Sequence, residues 1–309
     1  MTNDYFNIAF LCFLVLIVGC SDEKPKEKNN SGPINNAVLI TTLNYPLFYF
    51  TTTLAGDWAD VSLPVPGNID PALWQPSVND ILALQKVDLI ILNGAGYSNW
   101  ITKASVPSSR LIDTSENFVD QLIEIPSDTT HSHGPQGEHS HGDYALTTWM
   151  DISLAKKQVT AIARALSEKW PTHEMSVIKK EKELLKKLTT LDESYHAQAR
   201  KLAGKNIIYS HPVYQYFERR YQLPGYSLHW EPDQMPNQEQ WELLNKLSHN
   251  KDSLLIWEDF PSQKIIEKLN HMQLKYTVIR PMANKSIEPT LKTNWLEEQK
   301  GNHQRMNNL

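Results

Sequence analysis

Five apolar runs of strand length, two before and three after one long amphipathic stretch, constrain this chain more than any other feature. They are residues 37–42 (Ala-Val-Leu-Ile-Thr-Thr), 87–92 (Val-Asp-Leu-Ile-Ile-Leu), 206–210 (Asn-Ile-Ile-Tyr-Ser), 253–257 (Ser-Leu-Leu-Ile-Trp) and 275–279 (Lys-Tyr-Thr-Val-Ile). Runs that stay apolar at consecutive positions belong to strands covered on both faces, and intervening helical stretches such as 78–86 supply the cover. The amphipathic stretch, 171–203, repeats Ile178, Leu184, Leu185, Leu188, Leu191, Tyr195 and Leu202 at helical spacing, with Lys and Glu on its other faces. Pro171 suits a first helical turn and Gly204 a stop. At 1.5 Å per residue this helix is on the order of 45 Å long, enough to run the height of two lobes. The expectation is an α/β chain: two Rossmann-like lobes with parallel sheets, 37–170 and 204–309, joined by one long spine helix.

The amino-terminal end reads differently. Residues 6–19 are almost wholly apolar, too few to span a bilayer and the right length for a signal-peptide core. Leu16-Ile17-Val18-Gly19 then leads into Cys20, the pattern of a lipobox whose cysteine is acylated and becomes the new terminus, although no Lys or Arg precedes the apolar run. Two or more acyl chains would hold the chain on a membrane surface. Residues 21–36, rich in Lys, Glu, Asn, Ser, Gly and Pro, bury too little to order themselves and read as a tether. Cys12 leaves with the signal and Cys20 carries lipid, and these are the only 2 cysteines, so no disulfide or thiolate metal site is expected in the mature domain. A formal net charge of −5 gives no reason to invoke nucleic acid.

One tract is compositionally biased. His131, His133, His139 and His141 fall within twelve residues, in a Gly- and Pro-containing stretch that reads as a mobile loop. They form two His-x-His pairs, and residues two apart in extended chain share a side, so each pair has the geometry to share one ion. Neutral imidazole is the commonest protein ligand for zinc and similar metals.

A wider pattern surrounds this tract. Asp70-Pro71, Gln75-Pro76-Ser77, Asp80-Ile81 and Leu84 are followed by Asp88 to Tyr97 and Trp100; after the histidines come Trp149-Met150-Asp151, the helical stretch, then Ser210-His211-Pro212-Val213-Tyr214 with Tyr216, Phe217 and Tyr221. In order and spacing, across nearly all of the mature chain, this resembles the zinc/manganese substrate-binding proteins of ABC transporters. The resemblance implies a metal held between two lobes, a spine helix that restricts closure, a permease and an ATPase as partners, and a monomer. It also exposes departures. Where the family places a histidine after Asp-Pro, this chain has Ala72; the histidine two before the Trp is Thr147; the aspartate before a late proline is Arg280. Only His211 stands at a matching position, and one imidazole does not hold a divalent ion tightly.

Three accounts follow. A rewired cleft would recruit groups beyond the carboxyl ends of strands: His211, His229 with Glu231, and Glu258. Imidazole with carboxylate suits zinc, with manganese or nickel as alternatives. A second account has an organic ligand or metal chelate held by aromatic walls, since Trp74, Trp100, Trp149, Trp230 and Trp257 fall near expected cleft-facing turns and Arg280 would repel a bare cation. The third is a metal buffer that works chiefly through the histidine tract. An enzyme reading lacks support, because no nucleophile elbow is present and the glycines at 94 and 96 have no third partner. Remaining histidines, including His173 and His303, are expected in solvent. The reading adopted is capture of a divalent transition metal, zinc first, by His211, with His229, Glu258 and the four tract histidines as further donors.

Overall fold

The computed structural model describes residues 37–125, 144–231, 234–249, 251–285 and 294–308, together with the backbone of 130–132 and 138–140. The apolar lead segment, Cys20 and the tether expected at 21–36 lie outside the described residues.

Each lobe is a four-stranded parallel sheet. The first lobe holds β1 (Val38–Thr42), β2 (Ala59–Ser62), β3 (Leu89–Leu92) and β4 (Leu111–Asp113) in the order β2-β1-β3-β4. A short antiparallel pair, β5 (Thr130–Ser132) and β6 (Glu138–Ser140), follows. The second lobe holds β7 (Asn206–Tyr209), β8 (Gly225–Ser227), β9 (Ser253–Trp257) and β10 (Lys275–Val278) in the order β10-β9-β7-β8. Numbered within its lobe, each sheet runs second-first-third-fourth, so the two lobes repeat one topology that no fixed sequence period reveals. Such sheets leave a crevice where the strand order reverses, beyond the carboxyl ends of the first and third strands.

The continuous apolar runs are explained by what lies on either face. Leu89 and Ile91 of β3, and Ile207, Tyr209, Leu254 and Ile256 of the second sheet, point into one core that extends through both lobes. Their alternate neighbours point outward into smaller cores: Ile90 with Leu43, Val65 and Trp74 in the first lobe, and Ile208, Leu255 and Trp257 with Trp230 and Trp241 in the second. Period two is thus satisfied on both sides of each sheet.

Helices fill the shared core. α1 (Tyr45–Ala55) starts where Asn44 Oδ1 accepts the Leu47 N–H at 3.0 Å, and α2 (Val78–Leu84) starts on a reciprocal capping box between Ser77 and Asp80. α3 (Ile152–Lys169) is capped by Asp151, and a 3-10 turn, Pro171–His173, reverses the chain into α4 (Glu174–Leu202). At 29 residues α4 is about 43 Å long, the expected spine. Its buried face is Val177, Leu184, Leu188, Leu191, Tyr195, Ala199 and Leu202. Ile178 is 47% exposed, contrary to the sequence expectation, because the helix turns Val177 inward in its place. Asp192, also buried, accepts Arg220 at 2.6 Å and the Tyr221 hydroxyl at 3.1 Å from α5 (Gln215–Tyr221), which pins the spine to the second lobe.

The second lobe is completed by α6 (Gln238–Ser248), α7 (Gln263–His271) and α8 (Trp295–Asn307). α8 reaches back to the first lobe, where the Trp295 ring meets Phe50 of α1 edge-on at 5.1 Å. His173 stacks on Trp58 at 4.3 Å and His303 meets Tyr195 edge-on at 6.3 Å, so neither stands in plain solvent as expected.

Candidate metal site

The two crevices face one cavity of about 230 Å³. From the first lobe it is lined by Asp70, Ala72 and Leu73 of the turn after β2, by Tyr97 after β3, and by 145–147 with Trp149 ahead of α3. The second lobe supplies His211, Pro212 and Val213 after β7, Ser227 and His229 at the end of β8, Glu258 after β9, and Pro281 and Ala283 after β10. Three residues named from sequence, His211, His229 and Glu258, therefore share one cavity, each at the carboxyl end of a strand.

Local geometry fixes these groups differently. His211 is 8% exposed, and its Nδ1 lies 3.1 Å from the Trp230 carbonyl oxygen. A carbonyl only accepts, so Nδ1 is the donor in this bond, the kind of contact that orients imidazole ligands in metal sites. Glu258 has its backbone N–H held by Ser210 Oγ at 3.0 Å. Glu258 is half-buried, and desolvation of its carboxyl, followed by the negative charges of Asp70, Glu231 and Asp259, pushes its pKa up to about 8. At neutral pH it is mostly a neutral acid, and an arriving cation would displace its proton. His229 is exposed at the rim, where its backbone carbonyl accepts Gln240 Nε2 at 3.4 Å.

Asp70 was quoted in the sequence pattern but not singled out as a site residue. Its Oδ1 accepts the Ala72 N–H at 2.9 Å, which folds the Asp-Pro-Ala turn against the cavity. Its place just before Ala72 is the signal that could have identified it. Among the described residues, no group of three or more His, Cys, Asp or Glu side chains is placed to hold a metal ion.

The substituted positions have structural duties. Thr147 Oγ1 donates to the Val213 carbonyl at 2.6 Å and the Trp149 indole donates to the Pro281 carbonyl at 2.9 Å, so both tie the first lobe to the second. Beneath them Asn93, buried after β3, donates to the Leu146 carbonyl at 3.1 Å and accepts from Thr148 and Gln158, each at 3.1 Å. A buried network of this kind helps hold the segment in one conformation.

Two sequence expectations are corrected. Arg280 presents no open positive charge to the cavity: its Nε lies 2.7 Å from Asp259, its Nη1 3.8 Å from Glu298, and its side chain is 9% exposed. Of the five tryptophans only Trp149 lines the cavity. Trp74 and Trp100 pack edge-on at 5.4 Å, and Trp230 packs with Trp257 at 5.5 Å, because large aromatic rings in these turns gain more from the outer cores than from the cleft.

The histidine tract contains the β5–β6 pair, with His131 opposite His139 in the backbone register, instead of a loop without regular structure. Gly134, Pro135 and Gly137 between the strands are turn-forming residues in sequence. His133 and His141 lie outside the described residues.

Comparison with known proteins points one way. The family model described as zinc-uptake complex component A, periplasmic, matches residues 40–308. The chain is 26% identical over 297 residues to the zinc-binding lipoprotein AdcA of Streptococcus pneumoniae strain R6, covering 92% of this chain and 56% of that protein, so it spans little more than half of that relative. It is 27% identical over 275 residues to the high-affinity zinc uptake system protein ZnuA of Bacillus subtilis strain 168, covering 84% of this chain and 81% of that one. In fold it is similar to the metal-dependent lipoprotein YcdH of Bacillus subtilis, with a TM-score of 0.74 at 22% identity, covering 88% of this chain and 98% of the other. Zn(II)-bound AdcA of Streptococcus pneumoniae gives 0.72 at 22% identity, covering 86% and 56%.

Proposed function

We infer function from kinship and cavity together: the chain belongs to the zinc-uptake complex component A family, and we propose that it captures a divalent transition metal between its lobes for a membrane importer. Zinc is the first choice, because relatives are named for zinc and because imidazole with carboxylate suits it. Manganese and nickel are alternatives, carried by a manganese transporter relative of Streptococcus gordonii and a nickel-bound fold neighbour from Pseudomonas aeruginosa. The chain is a binding component and not an enzyme. It works in the cell envelope beside a permease and an ATPase, as a monomer held to the membrane by lipid on Cys20.

The observation that carries this reading is the presence of His211, His229 and Glu258 on the wall of one cavity that both lobes line. His211, with its ring oriented by the Trp230 carbonyl, is the principal donor. His229 and Glu258 complete the protein's share, and His131, His133, His139 and His141 collect the ion at the surface. The expected segments are a signal at 1–19, a tether at 20–36, lobes at 37–170 and 204–309, and the spine between.

Titration of the mature chain with zinc, intact and with 131–142 removed, tests this. Retention of one equivalent by both forms is expected. Loss of all tight binding on removal of the tract would overturn the cleft reading and favour the second one, buffering by the tract, which draws on the lack of any three-donor group among the described residues.

A further inference from the structure

The cavity is larger than an ion, and among the described residues its wall brings no three donors together. At about 230 Å³ it has room for several waters. A zinc ion with donors at about 2 Å fills a small part of that space. Small residues, Ala72 and Thr147, stand on the first-lobe wall, and most of the remaining lining is apolar: Leu73, Tyr97, Leu146, Trp149 and Val213. Its donors, Asp70, His211, His229 and Glu258, are spread around the wall, and no three of them form a group placed to hold one ion.

Resting on the metal-capture reading above, we propose that the cargo of this cavity is a divalent transition metal carrying one small organic chelator of amino-acid size, bound through nitrogen and oxygen. Two of the cleft donors, His211 foremost, engage the ion at one time, and the chelator supplies two more, which completes a four-coordinate ion. The chelator's carbon skeleton occupies the apolar part of the chamber, where displacing poorly held water is favourable. Charge agrees with this composition. A dication with one amino-carboxylate keeps a net positive charge, which suits a wall bearing the Asp70 carboxylate. The positive charge of Arg280, paired with Asp259, offers no competing anion site.

The test uses the full mature chain, with free zinc fixed by a metal buffer and L-histidine varied. Zinc affinity is expected to rise at least tenfold with L-histidine, and native mass spectrometry is expected to find zinc and one histidine retained together. Unchanged or weakened zinc affinity, with zinc retained alone, would overturn the inference and leave the metal-capture reading standing. No zinc retained in either arm would overturn both. Two substitutions at the cavity wall separate space from donors. A72L is expected to keep zinc binding and lose the histidine enhancement, whereas A72H is expected to tighten zinc alone and reduce dependence on histidine. Full enhancement in A72L would refute the placement of the chelator in this chamber.

Discussion

The two lobes repeat one strand order yet meet the cavity with different chemistry. The second lobe brings His211, His229 and Glu258, each at the carboxyl end of a strand, whereas the first brings Asp70 in a turn and otherwise Ala72, Leu73, Tyr97 and Thr147. Shared topology therefore fixes where groups can meet, not which groups they are. On the proposed reading, most of the donors on the cavity wall belong to the second half, and the first half mainly covers them. Thr147 illustrates the covering role, since its hydroxyl grips the Val213 carbonyl and holds the two halves in contact.

The widest test of that division asks whether the halves behave as one body. W295A removes a fully buried ring packed on Phe50 across the lobes and should cost about 3–5 kcal/mol. Denaturant unfolding is expected to keep a single transition; two transitions would show that each half is stable alone. H211A should weaken zinc at least about a hundredfold, close to 2.7 kcal/mol, while D70N should change it less than tenfold by competition titration. Equal losses would break the asymmetry.

T147V should lower stability by about 1 kcal/mol, the worth of one hydrogen bond, and leave zinc affinity within threefold. A large loss of zinc would make the first lobe a donor after all. The smallest effect concerns Glu218 of α5, whose carboxyl burial pushes up to about 7 against an ordinary 4.5, partly offset by the Gly225 N–H. Such a group holds its proton more tightly folded than unfolded, so stability falls as pH rises from 4.5 through 7. E218Q removes that slope. Its melting temperature should exceed the parent's by roughly 2–4 °C at pH 8, and the difference should shrink toward pH 5.

Much of the architecture was legible because its central strands are apolar at most consecutive positions. The runs at β1, β3, β7 and β9 announce burial on two faces, and β10, though an edge strand, carries enough apolar residues to be seen. β2 and β4 were not picked out, and β8 was presumed ahead of His229 without a range: all three are short edge strands whose residues are half-buried or exposed, so neither period nor apolarity marks them. The site divides likewise. His211, His229 and Glu258 could be named because each follows a strand, and a crevice lies beyond strand ends. Arg280 misled because its charge is cancelled by Asp259 and Glu298, 21 and 18 residues away, a pairing no local pattern contains. The phase of α4 slipped by one residue because Val177 and Ile178 are equally apolar, and only the packed core chooses between them.

The contact between Trp295 and Phe50 bears on the order of events as the chain is made. Phe50 belongs to the first helix, and the ring that covers it arrives some 245 residues later. A polypeptide threaded amino end first through an export channel would emerge with that face of Phe50 bare, and it would stay bare until the last helix followed. Completion of the core around Phe50 is thus postponed to the final stage of synthesis.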